Sequence, residues 1–234
     1  VQDLYGYSGI KPRTYQDIMD VVGSPAHPTL WRMLNTRYIV ADANQQIPPE
    51  MSFLEPIAST NASVVYRNTH ALPRAYFVDS VATAPAIEIL QAIRDGAFDP
   101  KRVAYLEGES LDVDPPDSTA SVEIVSYKDE RIEMKARASG EHFLFIGDTY
   151  LPYGWRAEID GEETEIYRAN HGFRGIVVPK GEHTIVMEFA PTSFSVSRAT
   201  MLITAGVTIA GLVVGFFAER RRKRRLDDEE PDAS

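Results

Sequence analysis

The sequence predicts a mainly β protein with some α: an antiparallel β-sandwich ectodomain of jelly-roll or immunoglobulin-like type, preceded by a small α+β segment and followed by one transmembrane helix. Three observations carry this expectation. Residues 199–218, ATMLITAGVTIAGLVVGFFA, form a twenty-residue run without a charge, and at about 1.5 Å per residue such a run crosses a hydrocarbon core of about 30 Å. From 121 to 189 apolar residues recur with a period of two, the mark of half-buried strands. Before residue 111 helical and strand periods are mixed.

Taken in order, Tyr15 to Val22 and Pro28 to Asn35 carry apolar residues at helical spacing, with Leu30, Met33 and Leu34 in the second, and Pro25-Ala26-His27-Pro28 separates the two. Arg37 to Ala41 reads as a strand, and Gln45 to Glu50, with its paired prolines, as a loop. Short β-like stretches follow at Ser63 to Arg67 and Ala75 to Val78. Ala84 to Asp95 reads as a helix in which Ile87, Leu90 and Ile93 share a face; Pro85 suits its first turn and Gly96 its end. Asp112 to Asp117, rich in proline and aspartate, is expected to be a linker.

After it come seven expected strands: 121–127, 131–138, 142–147, 155–159, 163–167, 173–178 and 183–189. Arg131 to Ala138 shows the pattern well, alternating Ile132, Met134, Ala136 and Ala138 with Glu133, Lys135 and Arg137. Asp160-Gly161 fits a tight hairpin turn, and Lys180-Gly181 a second. Short strands at such spacing point to a sandwich. The expected division is therefore an α+β extracytoplasmic segment over 1–111, a sandwich over 119–192, a membrane helix over 199–218 and a charged tail over 219–234.

Charge orients the helix. Arg220, Arg221, Arg222, Lys223, Arg224 and Arg225 follow its C-terminal end, against Arg198 alone at the other, so the positive-inside rule places the C-terminus in the cytoplasm and residues 1–198 outside the cell membrane. The same cluster suits anionic lipid headgroups, and the bilayer is the first expected partner. The tail from Glu219 holds six basic and six acidic residues, which leaves 18 basic and 28 acidic of the chain's 24 and 34 in the ectodomain. So acidic a domain is not expected to bind nucleic acid. There are no cysteines, which excludes disulfides, a thiol nucleophile and thiolate metal sites. The chain opens on Val1 with no basic and apolar leader pattern, so export is expected to depend on something upstream.

Several phrases together resemble the C-terminal part of the bacterial YfhO family of polytopic membrane proteins: LYGYSGIKPRTYQDIMD (Leu4 to Asp20), MLNTRYIV (Met33 to Val40), LPRAYFV (Leu72 to Val78), the stretch Gly147 to Pro191, and the closing apolar helix. The chain departs from the family's proline-glycine-tryptophan step by an inserted tyrosine, reading Pro152-Tyr153-Gly154-Trp155. The resemblance implies further transmembrane helices upstream as partners and a build similar to GT-C glycosyltransferases that use polyprenyl-phosphate-linked sugars. It also implies a link to glycosylation of cell-envelope polymers, with the catalytic carboxylate outside this chain.

Among the residues themselves, Asp148, Tyr150, Tyr153, Trp155 and Arg156 gather aromatics, a carboxylate and a guanidinium near an expected strand end, a set suited to contact with a glycan. The simpler reading is that Trp155 plugs the sandwich and the tyrosines cover a loop. Asp79, Glu107, Glu109, Asp148 and Asp160 supply carboxylates, but a glycoside hydrolase would need two of them facing across a cleft. His27, His70, His142, His171 and His183 show no metal-ligand spacing, so neither metal nor cofactor is expected. No phosphate-binding glycine loop or nucleophile elbow is present. Within the apolar run Gly206, Ala210, Gly211 and Gly215 are small residues four apart, suited to close packing against other helices. No residue of the chain is expected to be catalytic. Two functions follow: a non-catalytic scaffold or glycan contact within a YfhO-like protein, or a single-pass surface protein whose sandwich binds a glycan or a protein. The first expects an apolar face on residues 1–80 with no partner in the chain.

Overall fold

The computed structural model describes residues 12–228 apart from 25, 109 and 152, with the backbone alone over 192–199 and 221–228. The opening phrase as far as residue 11, Glu109, and the side chains of Arg221, Arg222, Lys223, Arg224 and Arg225 lie outside the described residues. Residues 1–189 and 190–234 form two units.

In the first unit, α1 (Arg13–Val22) stops where Gly23 takes φ 75° and returns its N–H to the Met19 carbonyl at 2.8 Å, a left-handed cap that glycine adopts without a Cβ clash. Helix α2 (Pro28–Met33) begins on a proline whose fixed φ already suits the first turn. Helix α3 (Ala86–Asp95) is preceded by Pro85 and closed by Gly96 at φ 62°. Its buried face is Ile89, Leu90 and Ile93, while Ile87 is 53 % exposed. The expected Ile87–Leu90–Ile93 face is thereby corrected: three-residue steps each fall about 60° short of a full turn, so the set drifts around the helix and only part of it meets the sheet.

Strands β1 (Tyr38–Asp42), β2 (Leu54–Ser59) and β3 (Ser63–Asn68) form a small antiparallel sheet in the order β1-β3-β2. The remaining strands are β4 (Ala75–Phe77), β5 (Ser80–Thr83), β6 (Val103–Leu106), β7 (Ser121–Lys128), β8 (Arg131–Ala138), β9 (His142–Thr149), β10 (Trp155–Ile159), β11 (Glu162–Thr164), β12 (Tyr167–Ala169), β13 (Phe173–Val178) and β14 (Gly181–Phe189). They build a five-stranded sheet, β11-β10-β14-β8-β7, and a six-stranded one, β4-β9-β13-β12-β6-β5. Strands from both sides of the Asp112–Asp117 stretch thus share the larger sheet. All pairs are antiparallel except β5 with β6, which α3 connects as a βαβ unit.

The core follows from the pleat of β9. Phe143 and Phe145 point to one face, into a cluster with Ile18, Leu30, Met33 and Ile89 of the three helices. Leu144 and Ile146 point to the other, among Ile132, Met134, Ile185 and Met187 of the second sheet. The larger sheet is therefore covered on both faces, by helices and by the five-stranded sheet, and the mainly β, sandwich-like expectation holds with one added layer.

Two local expectations are corrected. The single strand expected over 163–167 is two, β11 and β12, which belong to different sheets, because the chain crosses the sandwich between them. Lys180-Gly181 is not a hairpin turn, since β13 pairs with β9 and β14 with β8 and β10; it carries the chain between sheets. Asp160-Gly161 does turn the β10–β11 hairpin, at φ 53° and 89°, and both positive values suit that dipeptide.

The second unit is α4 (Thr192–Asp228), whose span Thr200–Arg220 has mean hydropathy 2.2 and is open on all sides. Such a helix is long and apolar enough to cross a membrane. A Cβ added at Gly206, Gly211 or Gly215 would meet nothing within 4 Å, and Ala210 is exposed.

Candidate functional site

At the open end of the sandwich, the inward registers of β9 and β13 change from apolar to charged. Leu144 and Ile146 are followed by Asp148, and Val178 and Ile176 are preceded by Arg174. Both lie at least nine-tenths buried. A cleft of about 310 Å³ opens above them, lined also by Tyr127, Leu151, Trp155 and Phe189.

One oxygen of Asp148 is fully used. Oδ1 accepts from the Arg74 guanidinium at 2.7 Å and from the Tyr127 hydroxyl at 2.8 Å, while the same guanidinium lies 4.9 Å from the Tyr127 ring centre. Arg174 donates from Nε to the Thr149 carbonyl at 2.9 Å and lies over the Trp155 indole, 3.8 Å from its centre. This close cation–π contact holds the guanidinium in place. Burial pushes Arg174 down to about 10, against the pull of Asp148 and Tyr127 in the other direction, so it stays a cation at neutral pH. The second oxygen of Asp148, Oδ2, and Arg174 Nη1 are buried with no hydrogen-bond partner among the described residues. A buried acceptor and a buried donor without a partner are costly to stability.

The residues expected from the sequence divide. Asp148 and Trp155 share this cleft. Trp155 is partly in the sandwich core, and its ring is flanked by Arg174 and by Phe189, whose centroid is 5.6 Å away. Tyr150 lines a different, smaller hollow of about 160 Å³ with Glu107, Tyr167 and Arg168. Tyr153 is 85 % exposed. Arg156 alternates with Trp155 along β10 and faces solvent. The residues not foreseen are Arg74, Tyr127 and Arg174. Arg174 had a legible signal: it interrupts the inward set of an otherwise apolar strand, FRGIVV, and such a local violation marks functional or strained sites. Arg74 and Tyr127 had none, since they reach Asp148 from distant points of the chain.

The other described carboxylates of that set are each held elsewhere. Asp79 pairs with Arg102 at 3.5 Å, and Asp160 with His183 at 2.7 Å. Glu107 holds Arg168 and His171, and His171 also reaches Asp17 at 3.3 Å. His142 is a buried structural residue: Nδ1 donates to the Asp114 carbonyl at 2.8 Å, and Nε2 accepts the N–H groups of Ser139 and Gly140, both at 3.1 Å. His27 contacts the Arg94 carbonyl through Nε2 at 2.9 Å, and His70 stacks on Phe53.

No curated protein and no solved structure matches the chain. A family model described as bacterial membrane protein YfhO matches residues 118–200, from just before β7 into the first turns of α4. By that match, and by the membrane-competent helix that continues from it, this stretch of the chain belongs to the YfhO family of bacterial membrane proteins.

Proposed function

We propose that the chain is the C-terminal extracytoplasmic domain and last transmembrane helix of a YfhO-like protein that takes part in glycosylating cell-envelope polymers. In this reading it holds glycan or acceptor and scaffolds the membrane part, and the transfer chemistry resides upstream. The observation that carries the reading is the cleft lined by Asp148, Arg174, Tyr127 and Trp155. A carboxylate, a guanidinium and aromatic rings lining one cleft suit the hydroxyls and ring faces of a sugar. The carboxylate and the guanidinium each have their geometry enforced by a neighbour, Arg74 for Asp148 and Trp155 for Arg174, as a binding site requires. A polyprenyl-phosphate-linked sugar is the donor that such a protein would share with its upstream helices. Arg220 to Arg225 would hold the C-terminus in the cytoplasm.

Exposed apolar residues favour upstream membrane helices as partners: Tyr38 and Val40 of β1 and Ile57 of β2 are each at least half exposed. The alternative, a single-pass anchored protein with a glycan- or protein-binding sandwich, draws support from the two apolar cores within residues 1–189. Reading the native coding sequence upstream of Val1 separates them. Ten or more apolar spans of about 20 residues would support the polytopic protein, and a lone signal peptide would leave the single-pass one.

A further inference from the structure

We infer that His171 is a pH-sensitive latch for α1: as an imidazolium it ties the helix to the sheet through two carboxylates at once, and on losing its proton it holds only one of them. The latch is independent of the glycan-contact reading above.

The hairpin between β12 and β13 aims this ring. Asn170 and His171 take φ 45° and 66°, left-handed values that are uncommon outside glycine and best tolerated by residues such as asparagine and histidine. Asn170 is fully buried and locked to β6, accepting the Tyr105 N–H on Oδ1 and donating its own N–H to the Tyr105 carbonyl, both at 2.8 Å. Glu107 follows just beyond β6, so the ring and one of its carboxylates ride on the same sheet. The imidazole, with 7 % of its side chain exposed, sets Nδ1 2.7 Å from Glu107 Oε1 and Nε2 3.3 Å from Asp17 Oδ2 of α1.

The remaining carboxylate oxygens are taken, Glu107 Oε2 by Arg168 and Asp17 Oδ1 by Arg13 at 3.0 Å. Carboxylates only accept, and a neutral imidazole has a single N–H. Only the charged ring therefore makes both contacts as hydrogen bonds; the neutral ring turns a lone pair toward one of the two. Against the cost of burial, hydrogen bonds from Arg13 and His171 hold the Asp17 carboxyl below its ordinary range, so it remains an acceptor over roughly pH 5–8, where histidine changes charge. The charged groups around the ring are Asp17 and Arg13 on α1, Glu107 beyond β6 and Arg168 on β12, with Glu165 lining the same hollow as Glu107 and Arg168. Farther along α1, Asp20 is held by Gln16. On α3, which also packs against α1, Arg94 is paired with Asp95 and Glu88 is exposed.

The imidazole matters because the other ties are weak or uncharged. Arg13 is 91 % exposed, so its pair with Asp17 is screened by solvent. Ile18 supplies the apolar tie, packed so closely that a Cβ at Gly172 would lie 2.5 Å from its Cδ1, and its burial does not respond to pH. A helix of ten residues is too short to persist alone in water, so whatever loosens the docking also loosens the helix. Proton loss therefore makes local opening of α1 more frequent without releasing it outright.

The test is hydrogen exchange read by mass spectrometry on the full chain in lipid nanodiscs, at about pH 5.5 and about pH 8, with protection corrected for the intrinsic rate. Amides of α1 are expected to lose about ten-fold in protection at the higher pH, the loss of one charge-assisted hydrogen bond, while those of α3 hold. In Asp17→Asn the amide accepts from the charged ring or donates to the neutral one, so α1 is expected to stay protected at both pH values. In His171→Asn, which suits the left-handed turn, the pH response is expected to vanish. No fall in the parent, or an equal fall in α1 and α3, would overturn the latch. A fall that persists undiminished in either variant would assign the pH response to other groups and overturn it as well. Where His171→Asn leaves α1 unprotected at both pH values, the response of Asp17→Asn decides.

Discussion

Asp148 and Arg174 are both charged, both buried and both on inward registers, yet they carry opposite consequences for stability. Asp148 anchors Arg74 and Tyr127, so Asp148→Asn weakens a buried ion pair and is expected to cost about 2 kcal/mol or more, read from thermal denaturation. Arg174 has no carboxylate at hydrogen-bonding distance among the described residues and is desolvated. Replacing it with a similarly sized apolar side chain gives up one cation–π contact and the hydrogen bond to the Thr149 carbonyl but relieves a buried charge. Arg174→Met is therefore expected to cost less than Asp148→Asn, about 1 kcal/mol, in the same denaturation measurement. A third residue reports on acid. Hydrogen bonds from His183 first, and from the Thr184 N–H, hold the Asp160 carboxyl below its ordinary range. Its folded value is the lower one, so its contribution is full above the unfolded value and is lost as the pH falls through the folded one. The stability advantage of the parent over Asp160→Asn should accordingly narrow below about pH 4, the ordinary carboxylate range. An advantage that persists undiminished into strong acid would refute the role given to this pair.

Between elements, the decisive contact is helix against central sheet. Ile93 of α3 is fully buried against that sheet and Ile87 is exposed. Ile93→Ala should cost about 2–5 kcal/mol by lost transfer energy and a cavity, whereas Ile87→Ala should stay within about 0.5 kcal/mol. Equal effects in chemical denaturation would contradict the packing of α3. A second contact is closer still. A Cβ at Gly147 of β9 would lie 2.2 Å from the backbone carbonyl of Met33, the last residue of α2, and backbone cannot swing aside as a long side chain can. Gly147→Ala is expected to lower stability by about 1–3 kcal/mol and to disturb the neighbouring Asp148. Here the element boundaries were close to those read from periodicity, but the partners were not. Spacing along a helix says which residues share a face; it does not say which neighbour will cover that face.

For the whole molecule, the orientation of the apolar span is the property most worth measuring. The chain has no cysteine of its own, so single cysteines can be placed at Thr119, in the loop before β7, and at Ser234. With the native full-length protein in intact cells, a membrane-impermeant maleimide is expected to label Thr119→Cys and to spare Ser234→Cys until the cells are opened. Labelling in the reverse order would overturn the extracytoplasmic placement of residues 1–198 and with it any contact with outward glycans.

The sequence by itself determined the membrane-competent helix, the strand-rich fold and the resemblance to the YfhO family, because each is written in local terms: an unbroken apolar run, a period of two, and phrases in a fixed order. It also marked Asp148 and Trp155, which lie close together along the chain. Only the tertiary structure decided that strands on both sides of the Asp112–Asp117 stretch share one sheet, and that Tyr150, Tyr153 and Arg156 lie away from the cleft. It alone brought Arg74, Tyr127 and Arg174 to Asp148. The physical reason is that the pairing of β4 with β9 and of β9 with β13 is a long-range choice, set by which apolar faces can be buried together. The polar groups at the end of those strands are carried into place by that choice, without leaving a local pattern of their own.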